Sequence, residues 1–311
     1  MGKYVLKRVV ISLLTLMAIL FILFLMLELM PGSPFNDEKL TEAQRVLLYA
    51  KYGLDQPFFV KFYKYVINML SGDFGVSYTI NKNFAVSGMI ASRLPITIKL
   101  GLQAITLGSV VGLLLGITAA IKHNTWIDTI TVMISTLGVS VPSYVFALGL
   151  AYFVGYKLGW FPILYNMSKA AESSVLPTLA LSVFTIANVA RFTRSEMIDV
   201  LGSDYIRLVQ SKGVKEWKLI LRHALRNALI PIVTVIGPLM VGLLTGSMVV
   251  EKIFAIPGIG SLMVNAIQMN DYNVVIAIAF VYSSLYIITM LVVDILYGVI
   301  DPRIRIAKGA N

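Results

Sequence analysis

The chain has 311 residues, of which 58% are hydrophobic and only 14% charged, with a formal net charge of +10 and no cysteine. Ordinary soluble domains carry about 25% charged residues, so this composition excludes a water-soluble globule and makes lipid the solvent. The positive charge is what cytoplasmic anchoring of membrane spans produces, which removes the need for nucleic acid as a partner; the missing thiols exclude disulfides, thiolate nucleophiles and cysteine-ligated metals.

In chain order, residues 9–30, "VVISLLTLMAILFILFLMLELM", are the first predicted span. Lys3, Lys7 and Arg8 precede it, as they would a signal peptide, but the apolar run exceeds the roughly 7–15 residues of a signal core. "MPGSP" offers no small-residue cleavage site, so residues 1–30 are read as a retained membrane helix. Residues 31–95 then form an extracytoplasmic loop domain. "TEAQRVLLYAKYG" predicts an amphipathic helix capped by Thr41 and closed by Gly53. "DQPFFVKFYKYVINMLSG" predicts a second, with Pro57 early and Gly72 at its end. Its aromatic residues Phe58, Phe59, Phe62, Tyr63 and Tyr65 suit either a membrane interface or a protein partner.

Residues 96–300 are the core, with spans at 96–121, 129–154, 175–195, 228–250 and 274–299, and 301–311 are a tail. A span needs about 20 mostly apolar residues. Lys3, Lys7, Arg8, Lys122, the basic residues from Arg191 to Arg226, and Arg303, Arg305 and Lys308 fall on one side of these spans. The short loops opposite hold Lys157, Lys169 and Lys252. The positive-inside bias therefore places both termini in the cytoplasm. The expected fold is an all-α integral membrane protein with six transmembrane helices.

Glu28, Lys99, Arg191 and Asp294 lie near span ends, where long side chains snorkel. The paired broken helices of ion-coupled carriers are not evident. Pro142 interrupts the third span in "LGVSVPSYVF" and frees a carbonyl that must face protein or a water-filled cavity. Ser135, Ser140 and Tyr144 lie near it, Asn188 in the fourth span, Thr245 and Ser247 in the fifth; all are pore-lining candidates, with helix–helix contact as the competing reading. An uncharged pore suits a substrate recognised through its backbone, as peptides are. "EKIFAIPGIGSLMVNAIQMNDY" is broken by Pro257, Gly258 and Gly260 and reads as a re-entrant or interfacial helix, with Glu251, Pro257 and Gly258 as outer-gate candidates.

Residues 203–227 concentrate charge. Val214, Trp217, Leu221, Leu225 and Ala228 recur at helical spacing, with Lys215, Lys218, Arg222 and Arg226 on an adjacent stripe. Before them, "SDYIRLVQSK" predicts a short helix capped by Ser203 or Asp204. Gly213 marks a sharp corner or a close backbone approach. A basic amphipathic helix can simply rest on anionic lipid.

The stretch "DYIRLVQSKGVKEWKLILRHALRNALIP" resembles the cytoplasmic coupling loop of ATP-binding-cassette importer permeases, in particular the B-type subunit of oligopeptide/dipeptide systems. "MPGSP", "GDFGVSY", "EKIFAIPGIG", "NDYNVV" and "DILYGVIDPRIR" extend the resemblance, in order, over essentially the whole chain. Gly213 matches the glycine of the family's Glu-Ala-Ala…Gly motif, while Arg207, Leu208 and Val209 stand at the Glu-Ala-Ala positions. The resemblance implies the type I importer architecture, with this chain as half of a translocation pore for oligopeptides or dipeptides. It implies a second homologous permease, two cytoplasmic ATPases that hold ATP and Mg, and an extracytoplasmic substrate-binding protein. Coupling to the ATPase then falls to Asp204, Tyr205, Arg207, Gly213, Lys215, Trp217, Arg222, His223, Arg226 and Asn227.

The chain carries no G-x-x-x-x-G-K-[ST] phosphate loop, so no cofactor is expected on it and hydrolysis belongs to a partner. His123 and His223 lie at the cytoplasmic margin, away from any serine–acid arrangement, and no His/Asp/Glu cluster has metal-ligand spacing. The rival readings are a self-sufficient ion-coupled carrier, the same permease role with nickel or another small solute, and an intramembrane enzyme.

Overall fold

The structure is a computed structural model that describes residues 2–29, 41–53, 55–246 and 248–300. "MPGSP", Ser247 and the 301–311 tail lie outside the described residues, as do the side chains of Thr245 and Asp294. The described chain is helical apart from its connections and one isolated bridge between Val76 and Ala85. In order the helices are α1 (Gly2–Leu29), α2 (Glu42–Tyr52), α3 (Phe58–Leu70), α4 (Val86–Ile121), α5 (Trp126–Ser140), α6 (Ser143–Leu150), α7 (Ala170–Ser173) and α8 (Val175–Leu201). They continue as α9 (Asp204–Ser211), α10 (Glu216–Lys218), α11 (Leu225–Gly246), α12 (Met248–Ile253), α13 (Ile259–Gln268) and α14 (Tyr272–Ile300). Wide π turns follow α6 over Ala151–Lys157 and join α10 to α11 over Leu219–Ala224.

Four helical stretches are long and apolar enough to cross a bilayer: Leu6–Met26, Val86–Ile121, Val175–Leu201 and Tyr272–Val293. Two more arise only if bent pairs are taken together. Trp126–Ser140 and Ser143–Lys157 meet at 102°, and Glu216–Leu229 and Pro231–Leu243 at 55°. The first break falls at Pro142, where the sequence predicts an interruption; the second, before Pro231, has no counterpart in that reading. Each break sits at a proline, which brings no N–H to the carbonyl four residues earlier.

The chain forms two compact units, Met1–Thr97 with Pro257–Ile288, and Ile98–Ile256 with Thr289–Asn311. Helix α4 starts at Val86, carries Pro95 inside it and runs through that division.

In the first unit the local signals act as written. The Thr41 hydroxyl accepts from the Gln44 amide, the Gln44 side chain accepts from the Thr41 amide, and Gly53 ends α2 at φ +67°. The aromatic residues of α3 divide by helical spacing. Phe58 and Phe62 stand edge-on to Phe21 and Phe24 of α1 at 5.4–5.7 Å, with Tyr65 beside them, while Phe59 and Tyr63 are exposed. Edge-to-face pairs of this kind contribute about 0.5–1.5 kcal/mol each beyond burial. So Phe58, Phe62 and Tyr65 serve internal packing, and only Phe59 and Tyr63 remain for lipid or a partner. Lys61 closes the contact with two bonds of 2.6 and 2.7 Å to Glu28, whose charge is thus paired rather than snorkelling.

In the second unit α4 and α8 approach along a glycine seam. A Cβ at Gly108, Gly112 or Gly116 would lie 2.5–2.7 Å from the Cβ of Thr185, Val189 or Thr193. Both rows repeat every fourth residue, so the two helices meet ridge to groove. Within lipid no hydrophobic force draws helices together, and such close van der Waals contact is what holds them.

Candidate functional site

The segment between α8 and α11 folds as a short helix, a corner and a longer helix. Gly213 sits at φ +74°, and no described atom lies within 4 Å of where a Cβ would be. Of the two expectations for this glycine, the sharp corner holds and the close approach does not. Ser203 takes the N-cap position of α9, but its hydroxyl donates to the Val200 carbonyl and makes no cap bond. Ile206 is the buried residue of α9, leaving Tyr205 and Leu208 exposed.

The predicted apolar stripe is corrected at two of its five positions. Val214, Leu225 and Ala228 face the core as expected, but Trp217 and Leu221 are 58% and 56% exposed, while Leu219, Ala224 and Ile232 are buried. The reason is the π turn. Residues five apart lie on different faces of an α-helix, but the i→i+5 turn returns Ala224 beneath Leu219. The buried residues join Ile206, Met197, Val189 and Ala120 in one cluster, binding the ends of α4 and α8 to this segment.

The expected coupling residues are partly brought together. Asn227 Nδ2 donates to the Tyr205 hydroxyl at 2.6 Å, and that hydroxyl donates to the His223 carbonyl at 3.4 Å, so one tyrosine ties α9 to the following helix. Asp204 and Arg207 form an exposed pair at 3.6 Å, worth little in water. Lys215, Arg222 and Arg226 are exposed, and Lys218 Nζ lies 5.5 Å above the Trp217 ring.

A cavity of about 290 Å³ lies at the Pro142 break. Val139, Val141, Pro142 and Ser143 line it on one side, Leu181 and Phe184 of α8 on another, and Pro238, Leu239, Gly242 and Leu243 of α11 on a third. Ser140 and Tyr144 are exposed beside the break, but Ser135 and Asn188 are buried and do not line the cavity. Asn188 donates to the Phe184 carbonyl of its own helix at 2.8 Å. Of the gate candidates, Glu251 is fully buried in α12. Gly258 is buried at the N-cap of α13, and Pro257 is half-buried before it.

Two acidic residues escaped the sequence reading. Asp271, fully buried, accepts from the Ser77 hydroxyl and from the amides of Tyr78, Thr79 and Ile80 at 2.5–3.1 Å. Asp128, 4% exposed, is held by Arg194, His123 and Asn124. For Asp128 a signal existed: Arg194 in a span end requires a partner, and Asp128 opens the neighbouring apolar helix. For Asp271 no local signal points to residues so far away in sequence. Close by, burial pushes the Tyr65 phenol well above its ordinary value, and Tyr78, Asp271 and Asp73 add to the shift. Tyr65 donates to the Asn273 carbonyl at 3.2 Å.

A helical bundle with spans long and apolar enough to cross a bilayer, an apolar cavity at the Pro142 break and a basic, partly exposed segment packed on the ends of α4 and α8 is what a membrane permease subunit requires. The chain belongs to the family of binding-protein-dependent transport system inner membrane components, whose profile matches residues 112–306. It is 45% identical over 306 residues to the dipeptide transport system permease protein DppB of Lactococcus lactis subsp. cremoris, across 98% of this chain and 100% of that one. It is 39% identical to DppB of Bacillus subtilis over 99% of both chains, and 39% identical to the oligopeptide transport system permease protein OppB of Escherichia coli over 98% of this chain and 100% of that one. The fold matches a chain of the MetNI methionine ABC transporter in an inward-facing form, with TM-score 0.57 at 15% identity over 68% of this chain and 96% of that one. A chain of an amino acid ABC transporter matches with TM-score 0.54 at 18% identity, over 68% and 94%. The protein is a multi-pass component of the prokaryotic plasma membrane.

Proposed function

We propose that this chain forms half of the membrane pathway of an ATP-driven, binding-protein-dependent importer of oligopeptides or dipeptides, with residues 203–227 docking on a cytoplasmic ATPase. The printed activities of the relatives support the cargo class. In this reading each bent pair is one span, giving six, and both termini are cytoplasmic. A second homologous permease completes the pathway, two ATPases bind ATP and Mg, and an extracytoplasmic protein delivers the peptide. The pathway follows the Pro142 break, with Ser140 and Tyr144 beside it.

The observation that carries the docking reading is the exposure of Trp217 and Leu221 in a segment whose other face is packed. Two large apolar side chains flanked by Lys215, Arg222 and Arg226 form a rim-and-anchor surface of the kind protein partners cover. When the ATPase closes around ATP, a helix seated on it moves as a rigid body and favours one access state over the other.

Because the chain has no cysteine, a single Cys at Lys215 or Arg222 can be cross-linked without background. The expected result is an ATP-dependent adduct with the ATPase in native membranes. Adducts with lipid alone would reduce the segment to a surface anchor.

A further inference from the structure

Asp128 and Arg194 form an ion pair that the docking of an ATPase does not by itself require. Arg194 of α8 reaches the Asp128 carboxylate with both arms of its fork, from Nε to Oδ1 and from Nη2 to Oδ2 at 2.8 Å. The Asn124 amide donates to Oδ2 at 3.0 Å. His123 Nδ1 stands 3.0 Å from Oδ2 and 3.2 Å from Arg194 Nη2. The α4–α5 turn thus closes around the carboxylate from one side and α8 from the other. A bidentate pair fixes direction as well as distance, and it cannot slide without leaving a buried charge unpaired.

Its place in the fold gives the pair a role. Arg194 lies two turns before the end of α8, and α9 follows at Asp204. The buried cluster that joins the ends of α4 and α8 to α9 and the start of α11 takes no residue from α5 among those described. Asp128 is the first of the residues that α5 buries, followed by Thr131, Ser135 and Gly138, and it is the one that carries charge. Further along, Gly138 of α5 packs against Ala187 of α8, where a Cβ would come within 2.7 Å. About one turn beyond lies the Pro142 break with its cavity.

We propose that the Asp128–Arg194 pair is the link by which motion of the 203–227 segment reaches α5, and through α5 the helix break that lines the pathway. Both residues are positioning residues. Arg194 moves with the coupling body, Asp128 carries α5 with it, and His123 and Asn124 hold the carboxylate square to the fork. Without the pair, the start of α5 loses its ion pair to α8 and follows it through packing alone, as Gly138 does on Ala187. This role rests on the docking of 203–227 proposed above.

The test uses the complete transporter in proteoliposomes, with peptide uptake and ATP hydrolysis measured on the same vesicles. Asp128→Asn and Arg194→Gln are expected to raise the ATP hydrolysed per peptide imported by about fivefold or more, the scale of an ordinary coupling free energy. Arg194→Lys keeps the charge and loses the fork, so it raises the ratio while disturbing assembly least. A covalent tether then separates coupling from mere stability. In Asp128→Cys/Arg194→Cys, a short bifunctional thiol reagent is expected to bring the ratio back to within about twofold of the unsubstituted chain. A wild-type ratio in assembled Arg194→Lys, or a tethered variant that stays uncoupled, overturns the proposal. Failure of the docking reading shows separately, as loss of the Lys215 cross-link to the ATPase in the otherwise unaltered chain.

Discussion

Asp271 and Ser77 share a hydrogen bond of 2.5 Å although 194 positions separate them. The same carboxylate collects the amides of Tyr78, Thr79 and Ile80. Asn273 Nδ2 adds a bond of 2.9 Å to the Val76 carbonyl, and Gly75, at φ +71°, leaves room for it, since a Cβ there would stand 3.0 Å from that nitrogen. "GDFGVSY" and "NDYNVV" are therefore two halves of one contact. It fixes the turn before α4 to the start of α14.

Asp271→Asn replaces one carboxylate oxygen by an NH₂ group that meets donors instead of acceptors. Hydrogen bonds to a charged acceptor are worth about 1.5–3 kcal/mol each. The expected loss is about 2–4 kcal/mol, read as a lower thermal midpoint in nanodiscs and faster proteolysis between residues 73 and 85. An unchanged midpoint would mean that the carboxylate contributes nothing net.

Gly112→Val forces α4 off α8, because a Cβ at 112 meets the Val189 Cβ at 2.7 Å and the Ile186 carbonyl at 2.9 Å. Overpacking costs about 1–3 kcal/mol. Peptide uptake and thermal midpoint should both fall, and Gly112→Ala combined with Val189→Gly should recover most of each. If the single Val variant imports at the normal rate, the seam is not held as closely as these distances require.

Alkaline pH should weaken the first unit through Tyr65. Burial raises its folded-state value above the ordinary one near 10. Its contribution is then complete below about pH 10 and is lost as pH climbs from there toward the folded value. Thermal midpoints between pH 9 and pH 11 should drop more steeply for the unsubstituted chain than for Tyr65→Phe. Parallel curves for the two would assign the alkaline loss to other groups.

Features whose cause lies within a few residues were legible in the sequence. The Thr41 cap, the Gly53 and Gly72 stops and the Gly213 corner all sit where the sequence places them, since caps and left-handed glycines are decided by neighbours in the chain. The exposed face of the helix that starts at Glu216 was not legible. Strict 3.6-residue spacing points Trp217 and Leu221 inward, and the π turn at Leu219–Ala224 reverses that. Ser135 and Asn188 are buried, which composition alone does not foretell, because it does not say which face of a span meets a neighbour.

Composition and run length were enough, by themselves, to determine a helical protein dissolved in lipid, and the sidedness of Lys and Arg to divide its loops into a basic and a less basic set. Those properties follow from transfer of each stretch between water and hydrocarbon, which needs no knowledge of contacts. The tertiary structure alone decided that Asp271 belongs to Ser77 and that α4 and α8 touch along their glycines, and it chose Asp128 as the partner that Arg194 requires, across 66 positions. A buried charge is satisfied by whichever group the packed helices bring within about 3 Å, and that choice is written in their packing.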